Sequence, residues 1–383
     1  MGRMRRPIVL GTGSVLPPGR VTSQQYMEAL RPRKPVVGKS FEEWPLLDPN
    51  WVEQHFGIRT FAYDAMFPAL EKLPKGQGGI YDGDLAVGAA RLSLENANLS
   101  GKDVDVLVHI SCTPEKNYFD DCMRQIVGEL GIRHDVHMVH QNLGCAGLAW
   151  GFREATLHAL AREDDAVVLV VASNSPSGFL SRETLDNYVE AQKYFKWSWL
   201  SPAVFGDGAG AIVFRRNGET GRGLIDTWSE VHPEITLIDY PAGGSLEHAK
   251  QENVIRQLFL MDPTAVKEQF VSLMMRNMME LRRRWLQFVE PILGKPFDTN
   301  LPVRWYLHQA NLFAVKSAAS AMGLPDEKVP TNIQDIGNTS AASTLLLFDA
   351  DRRSGAVKPG DLVIFMWIGA GVGAMNGFSV VVA

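Results

Sequence analysis

Cys145 stands in Gln141-Asn142-Leu143-Gly144-Cys145-Ala146-Gly147-Leu148-Ala149-Trp150. Val136–Val139 before it reads as a short strand, and the apolar spacing of Ala146–Ala161 after it predicts a helix. A cysteine at such a junction faces the free N–H groups of the first helical turn. These favour a thiolate and are expected to lower its pKa. Small neighbours leave room for a carbonyl to approach the sulfur and the adjacent backbone N–H. The pattern predicts a nucleophile; the competing reading is a buried, inert cysteine.

Three more clusters add polar groups at turns. Phe205-Gly206-Asp207-Gly208-Ala209-Gly210-Ala211 is a glycine-rich turn entering a strand. No Lys-Ser/Thr follows it, so a backbone-packing turn held by Asp207 fits better than a phosphate loop. Leu307-His308-Gln309-Ala310-Asn311 puts a histidine at a second strand-to-helix junction, and Ile336-Gly337-Asn338-Thr339-Ser340-Ala341-Ala342-Ser343 puts an asparagine at a third. Each alone reads as an ordinary structural polar group; together they read as a constellation.

The elements that must position these groups alternate. Ile8–Gly13, Val104–Ser111, Ala166–Ser173 and Ala209–Phe214 predict strands, and Asp84–Ala97, Cys122–Leu130 and Gly147–Leu160 predict helices. In the second half, Thr236–Tyr240 reads as a short strand or loop edge and Thr264–Val289 as a long helix. Arg304–Leu307 reads as a strand, Ala310–Met322 as a helix, and Asp361–Ile368 and Gly377–Val382 as closing strands. Alternation in both halves indicates an α/β architecture, with sheets covered by helices. The linker-like stretch Arg215–Gly223 suggests halves of 1–217 and 218–383. The length of 383 residues allows such a division, and the net charge of −5 gives no reason to expect nucleic-acid binding. Three cysteines make neither a disulfide framework nor a zinc pattern, so a reducing cytoplasm is expected. The basic start is too short and glycine-broken for a signal peptide, and no apolar run approaches a membrane span.

The chain resembles the β-ketoacyl-ACP synthase III group of the thiolase superfamily. Asn142-Leu-Gly-Cys145-Ala-Gly, Phe205-Gly-Asp-Gly-Ala-Gly-Ala, His308-Gln-Ala-Asn and Gly337-Asn338-Thr-Ser-Ala-Ala-Ser carry the resemblance, with Trp51…Gly57-Ile58-Arg59 near the start. It implies a thiolase fold, five-layered αβαβα built from two similar halves, working as a homodimer. Cys145, His308 and Asn338 would meet at the inner end of a substrate tunnel. Backbone N–H groups of Cys145 and Ala370 would form an oxyanion hole. The substrates would be acyl-coenzyme A or acyl-carrier-protein thioesters, with no cofactor and no metal. Cys145 would take the acyl group, splitting one condensation into two half-reactions. His308 and Asn338 are neutral donors suited to the enolate of the second thioester. An aspartate at 338 would instead charge the histidine as a base for water or an alcohol. Asparagine therefore favours Claisen condensation, and departures from the group's pattern point to polyketide or other secondary-metabolite assembly over fatty-acid initiation. Acyl transfer to an alcohol or amine, or thioester hydrolysis, is the alternative use of the same trio.

Departures from the group's pattern bear on substrate delivery. His55 and Phe313 stand where many members carry arginines, with Lys316 one turn beyond Phe313. Trp51 reads as a stacking surface or as an ordinary buried tryptophan, and Phe119 falls near the position from which the partner subunit closes the acyl pocket in this group. The aromatic segment between Ser173 and Phe205 reads as a lid or as a packing loop, and the methionines of 274–279 as core filling. Two other classes fit less well. Papain-like hydrolases share the order Cys, His, Asn, but their local signature around the cysteine is absent. Gly11-Thr12-Gly13 lacks the third glycine and the following helix of a dinucleotide site.

Overall fold

The computed structural model describes residues 6–31, 48–65, 70, 72–115, 121–161, 165–191, 197–217, 221–239, 260–371 and 373–383. In chain order the strands are β1 (Arg6–Val15), β2 (Arg20–Thr22), β3 (Thr60–Ala62), β4 (Val106–Ser111), β5 (His137–Gln141), β6 (Val167–Asn174) and β7 (Gly208–Asn217). They continue as β8 (Gly223–His232), β9 (Ile238–Asp239), β10 (Leu260–Met261), β11 (Arg304–Leu307), β12 (Leu362–Gly371) and β13 (Gly373–Val382). One sheet has the order β1-β7-β6-β4-β5 and another β8-β13-β12-β11. In the first, β1/β7 and β7/β6 are antiparallel while β6/β4 and β4/β5 are parallel. In the second, β8/β13 and β13/β12 are antiparallel and β12/β11 is parallel. The second sheet thus repeats the order and sense of β1-β7-β6-β4.

Period-two alternation within the strands builds the layers. On β6, Val167, Leu169 and Val171 pack outward against helices Asp82–Asn96 and Asp121–Leu130. Val168, Val170 and Ala172 pack inward against helices Gly147–Ala161 and Ser343–Ser354. On β12, Val363, Phe365 and Trp367 meet the same inner helices from the other side. Ile364, Met366 and Ile368 face outward to helices Pro263–Arg284 and Leu312–Met322. Both faces of the central strands β6 and β12 are therefore apolar, which explains their near-continuous Val/Ile/Leu runs. The order is helix, sheet, helix, sheet, helix. Among the described residues no helix is long and apolar enough to cross a membrane.

Several sequence expectations shift. Of the stretch Arg215–Gly223, Arg215, Arg216 and Asn217 end β7, paired with Ile8, Pro7 and Arg6, and Gly223 already begins β8, while 218–220 lie outside the described residues. Gly11 and Gly13 serve packing, since a Cβ would fall 2.2 Å from the Ser93 carbonyl oxygen and 2.4 Å from that of Ala89. The long helix ends at Arg284 and continues as a π-helical turn, Trp285–Val289, before a short helix Glu290–Leu293. Its start was readable: Asp262 caps the N–H groups of Thr264 and Ala265, and Pro263 opens the first turn.

Candidate active site

Gly144 sets the position of Cys145. Its φ is 58°, and a Cβ there would lie 1.9 Å from the Ala370 carbonyl oxygen. Only glycine fits both restrictions. The chain then makes a 3-10 turn, Gly144–Ala146, and runs into helix Gly147–Ala161. From the other sheet, Gly369 lets the end of β12 approach: a Cβ there would meet the Cys145 Cβ at 2.7 Å. Cys145 itself is buried, and the Ser340 hydroxyl donates to its sulfur at 3.4 Å. Burial pushes the thiol pKa up, and hydrogen bonds from Ser340 and Asn338 offset this only in part. This corrects the expectation of a lowered pKa. Desolvation outweighs the helix terminus, and no cation faces the sulfur among the cavity residues described.

His308 follows the last residue of β11, and its backbone N–H donates to the Met366 carbonyl at 2.9 Å. Its Nδ1 lies 3.2 Å from Ser343 Oγ, at the start of helix Ser343–Ser354. The other ring nitrogen, Nε2, is buried without a hydrogen-bond partner. Burial pulls the imidazole down to about 3, so it rests neutral.

Asn338 is held by the glycine-rich turn. Its N–H donates to the Val204 carbonyl at 2.8 Å and its carbonyl accepts from Gly206 N–H at 2.9 Å. The approach needs Gly206, where a Cβ would sit 2.0 Å from the Ile336 carbonyl oxygen. No strand precedes Asn338; it lies between helix Ile333–Ile336 and the 3-10 turn Ser340–Ala342, bridged to Phe205. Its Oδ1 accepts from the Ser340 N–H at 2.9 Å, which leaves the amide NH2 for other partners. Asp207 anchors the turn from behind. It accepts from the Ser177 N–H and hydroxyl and pairs with the buried Lys72 ammonium at 3.4 Å.

One cavity gathers these groups: Cys145, His308, Asn338 and Ala370 line it together. Its remaining wall includes Met261, Val266, Phe270 and Leu273 from β10 and helix Pro263–Arg284. Sequence reading missed this wall, because the apolar face of a helix looks the same over a core and over a cavity. It also missed Ser340 and Ser343, although both stand in the quoted Gly337–Ser343 segment.

The family of 3-oxoacyl-[acyl-carrier-protein (ACP)] synthase III C-terminal domains matches residues 303–380, which carry His308, Asn338 and Ala370. A β-ketoacyl-[acyl-carrier-protein] synthase III of Caldanaerobacter subterraneus subsp. tengcongensis is 30% identical over 293 residues, 76% of this chain and 80% of the relative. The chain belongs to the β-ketoacyl-[acyl-carrier-protein] synthase III family. The synthase III of Dinoroseobacter shibae is 28% identical over 96% of this chain and 97% of its own length. In fold, OleA of Xanthomonas campestris, solved with bound lauric acid and lauroyl-CoA, superposes with a TM-score of 0.76 over the whole of both chains at 17% identity. The layers described above are those of the thiolase fold, and the protein is a condensing enzyme of synthase III type.

The residues expected to meet substrate divide at this point. Trp51 opens helix Trp51–Phe56, and the His55 ring stacks on it at 4.0 Å. Trp199 meets it edge-on at 5.0 Å and Trp197 lies 6.2 Å away. One face of the indole is therefore taken, and what remains is narrower than the open stacking surface expected. Trp199 and Tyr188 are buried, so these parts of the aromatic segment pack as core; Tyr194 and Phe195 lie outside the described residues. Phe313 is 47% exposed at the start of helix Leu312–Met322. Asn311 ties that helix to the Trp51 helix by donating to the His55 carbonyl at 2.9 Å. Phe119 lies outside the described residues. Met274 and Met278 are buried in the outer core, as core filling requires, whereas Met279 is exposed.

Proposed function

We propose that this synthase III loads an acyl group from a thioester onto Cys145 and then condenses it with a second, malonyl- or β-ketoacyl-type thioester. The reading rests on one observation: a nucleophilic sulfur, an unpartnered imidazole nitrogen and a primary amide line a cavity whose described wall carries no charged side chain. In loading, the Cys145 sulfur forms a bond to the thioester carbonyl carbon and its proton passes through His308 Nε2 to the departing thiolate. The oxyanion would sit between the backbone N–H groups of Cys145 and Ala370. In condensation, the second thioester becomes an enolate, by release of carbon dioxide from a malonyl-type thioester or by passing its α-proton to His308 Nε2 from a β-ketoacyl-type one, and donors from His308 Nε2 and the Asn338 amide stabilise it. The enolate carbon bonds to the acyl carbon and Cys145 leaves as thiolate. The Ser343 hydroxyl can donate to or accept from Nδ1, so Nε2 is able to accept in one half-reaction and donate in the other.

The relatives' name gives acyl carrier protein as the carrier, and coenzyme A is the alternative delivering thiol. Pathways of fatty-acid or polyketide type would use the product. No other cofactor is needed for these steps. The three cysteines form no disulfide with one another, which suits a reducing cytoplasm. The test is intact-protein mass after exposure to acyl-CoA and acyl-carrier thioesters, followed by a malonyl thioester. An adduct on Cys145 that is discharged into a β-ketoacyl product, and is absent in Cys145→Ala, is expected. An adduct that ignores the malonyl thioester and discharges to water or an alcohol would replace condensation with simple acyl transfer.

A further inference from the structure

Ser340 touches the reacting sulfur, yet no step above uses it. Its Oγ lies 3.4 Å from Cys145 Sγ and 3.5 Å from Cys112 Sγ, so one hydroxyl stands between two thiols. Cys112 follows β4 and also reaches Asn174 Oδ1 at 3.4 Å. Asn174 in turn donates to the Gly206 carbonyl at 3.2 Å, tying this second layer to the turn that holds Asn338. The backbone at Ser340 is unusual as well. Its φ is 53°, a left-handed conformation that glycine adopts far more easily than serine. The Ser340 N–H bonded to Asn338 Oδ1 helps to hold it there.

We infer that Ser340 is a further catalytic residue, whose hydroxyl donates to the Cys145 sulfur and stabilises its thiolate in both half-reactions, with Cys112 as a positioning residue behind it. A hydroxyl carries one proton. If Cys112 keeps its own proton and donates it to Asn174 or to Ser340 Oγ, the serine proton is left to face Cys145. Burial pushes the Cys112 thiol up to about 12, with the neighbouring Cys145 adding to the effect, so Cys112 stays protonated at working pH. Beside the Asn338 amide, the titratable groups near this sulfur are His308 on the β11 side, neutral by burial, and Cys112 with buried Asp82 behind it. None of these supplies a positive charge, so the donated hydrogen bonds carry the stabilisation. When the sulfur loses its proton, the Ser340 bond becomes charge-assisted and strengthens. Ser340 keeps its proton throughout, and no bond to it forms or breaks.

The inference rests on Cys145 being the nucleophile, but its test does not need condensation. Site-resolved alkylation of Cys145 by iodoacetamide, followed by peptide mass spectrometry from pH 6.5 to 10, reads the thiolate directly. Ser340→Gly is the informative variant: it removes the hydroxyl and relieves the left-handed backbone, so the protein should melt no lower than the parent. Alkylation at pH 8 is expected to slow about tenfold in Ser340→Gly and in Ser340→Ala, with the midpoint moved to higher pH. Cys112→Ala should move the profile the same way by a smaller factor, and Cys112→Ser should restore it. A parental alkylation profile in either Ser340 variant overturns the inference. If Ser340→Gly alone loosens the fold, Ser340→Ala decides. A parent that takes no acyl adduct, yet shows the Ser340 dependence, would strike the proposed function and with it the catalytic use of Ser340, leaving only its hydrogen bond to the Cys145 thiolate.

Discussion

A buried imidazole is a liability in acid. His308 rests neutral because its site is dry, and burial takes it down to about 3 from an ordinary value of 6.5. The unfolded chain takes up a proton between those two values and the folded chain does not. Stability tied to His308 is therefore complete above pH 6.5 and is lost as pH falls from there toward 3, at about 1.4 kcal/mol per pH unit within the window. Urea midpoints from pH 7 to 5 should fall more steeply in the parent than in His308→Gln; equal slopes would mean that His308 is hydrated. Asn338 gives a second expectation at this scale. Its Oδ1 is spent on the Ser340 N–H, so only the amide NH2 is available to an enolate. In Asn338→Ala the acyl adduct should still form, while its transfer to the second thioester slows on the order of a hundredfold. Rapid-quench measurement of the two steps checks this, and an equal loss in both would remove Asn338 from the enolate.

Each chemical group is delivered by an element end, and two of the three depend on a glycine at a close approach. Gly206→Ala would drive a Cβ into the Ile336 carbonyl and push apart the strand-like pairing between Val204–Gly206 and Asn338. A cost of about 1–3 kcal/mol follows from such overpacking. Thermal unfolding should show it, and condensation should suffer more than acyl loading because Asn338 is the group displaced. Full stability in this variant would mean that the turn is not under the constraint described. These glycines also explain what was legible in the sequence. The positions of Cys145 and His308 were readable because each follows a strand and meets small residues, whereas Asn338, expected at a strand end, follows the short helix Ile333–Ile336. β11 was readable to the residue, from Arg304 to Leu307, because both of its faces are covered. β8 was missed: it carries Asp226 and Glu230 and, among the described residues, forms an edge of its sheet paired with β13 alone, so its hydrophobic pattern is diluted. The cavity wall was missed for a different reason. Val266, Phe270 and Leu273 have ordinary core spacing, and only the path of the chain around them leaves a hollow.

At the scale of the molecule, the two sheets bring equivalent helix starts head to head. Helix Gly147–Ala161 precedes β6 and helix Ser343–Ser354 precedes β12, each entered through a 3-10 turn that begins with a positive φ, at Gly144 and at Ser340. The two turns pack against each other, and the Ser340–Cys145 hydrogen bond is a contact between them. The symmetry of the halves thus places two helix N-termini beside one sulfur. The first sheet, however, is left open on one side. β5 pairs only with β4, and its outer edge is uncovered among the described residues. Met138 on this strand is 55% exposed. An unpaired edge carrying an exposed apolar side chain invites pairing with another strand. A second copy can supply that strand through a two-fold axis, each β5 running antiparallel to the other and joining the two sheets into one. Met138→Lys would place a charge in such a joint and is expected to convert a dimer to a monomer in light scattering at micromolar concentration, with the fold retained by circular dichroism. A parent that is monomeric under those conditions would remove the dimer altogether, and a variant that stays dimeric would move its interface away from β5.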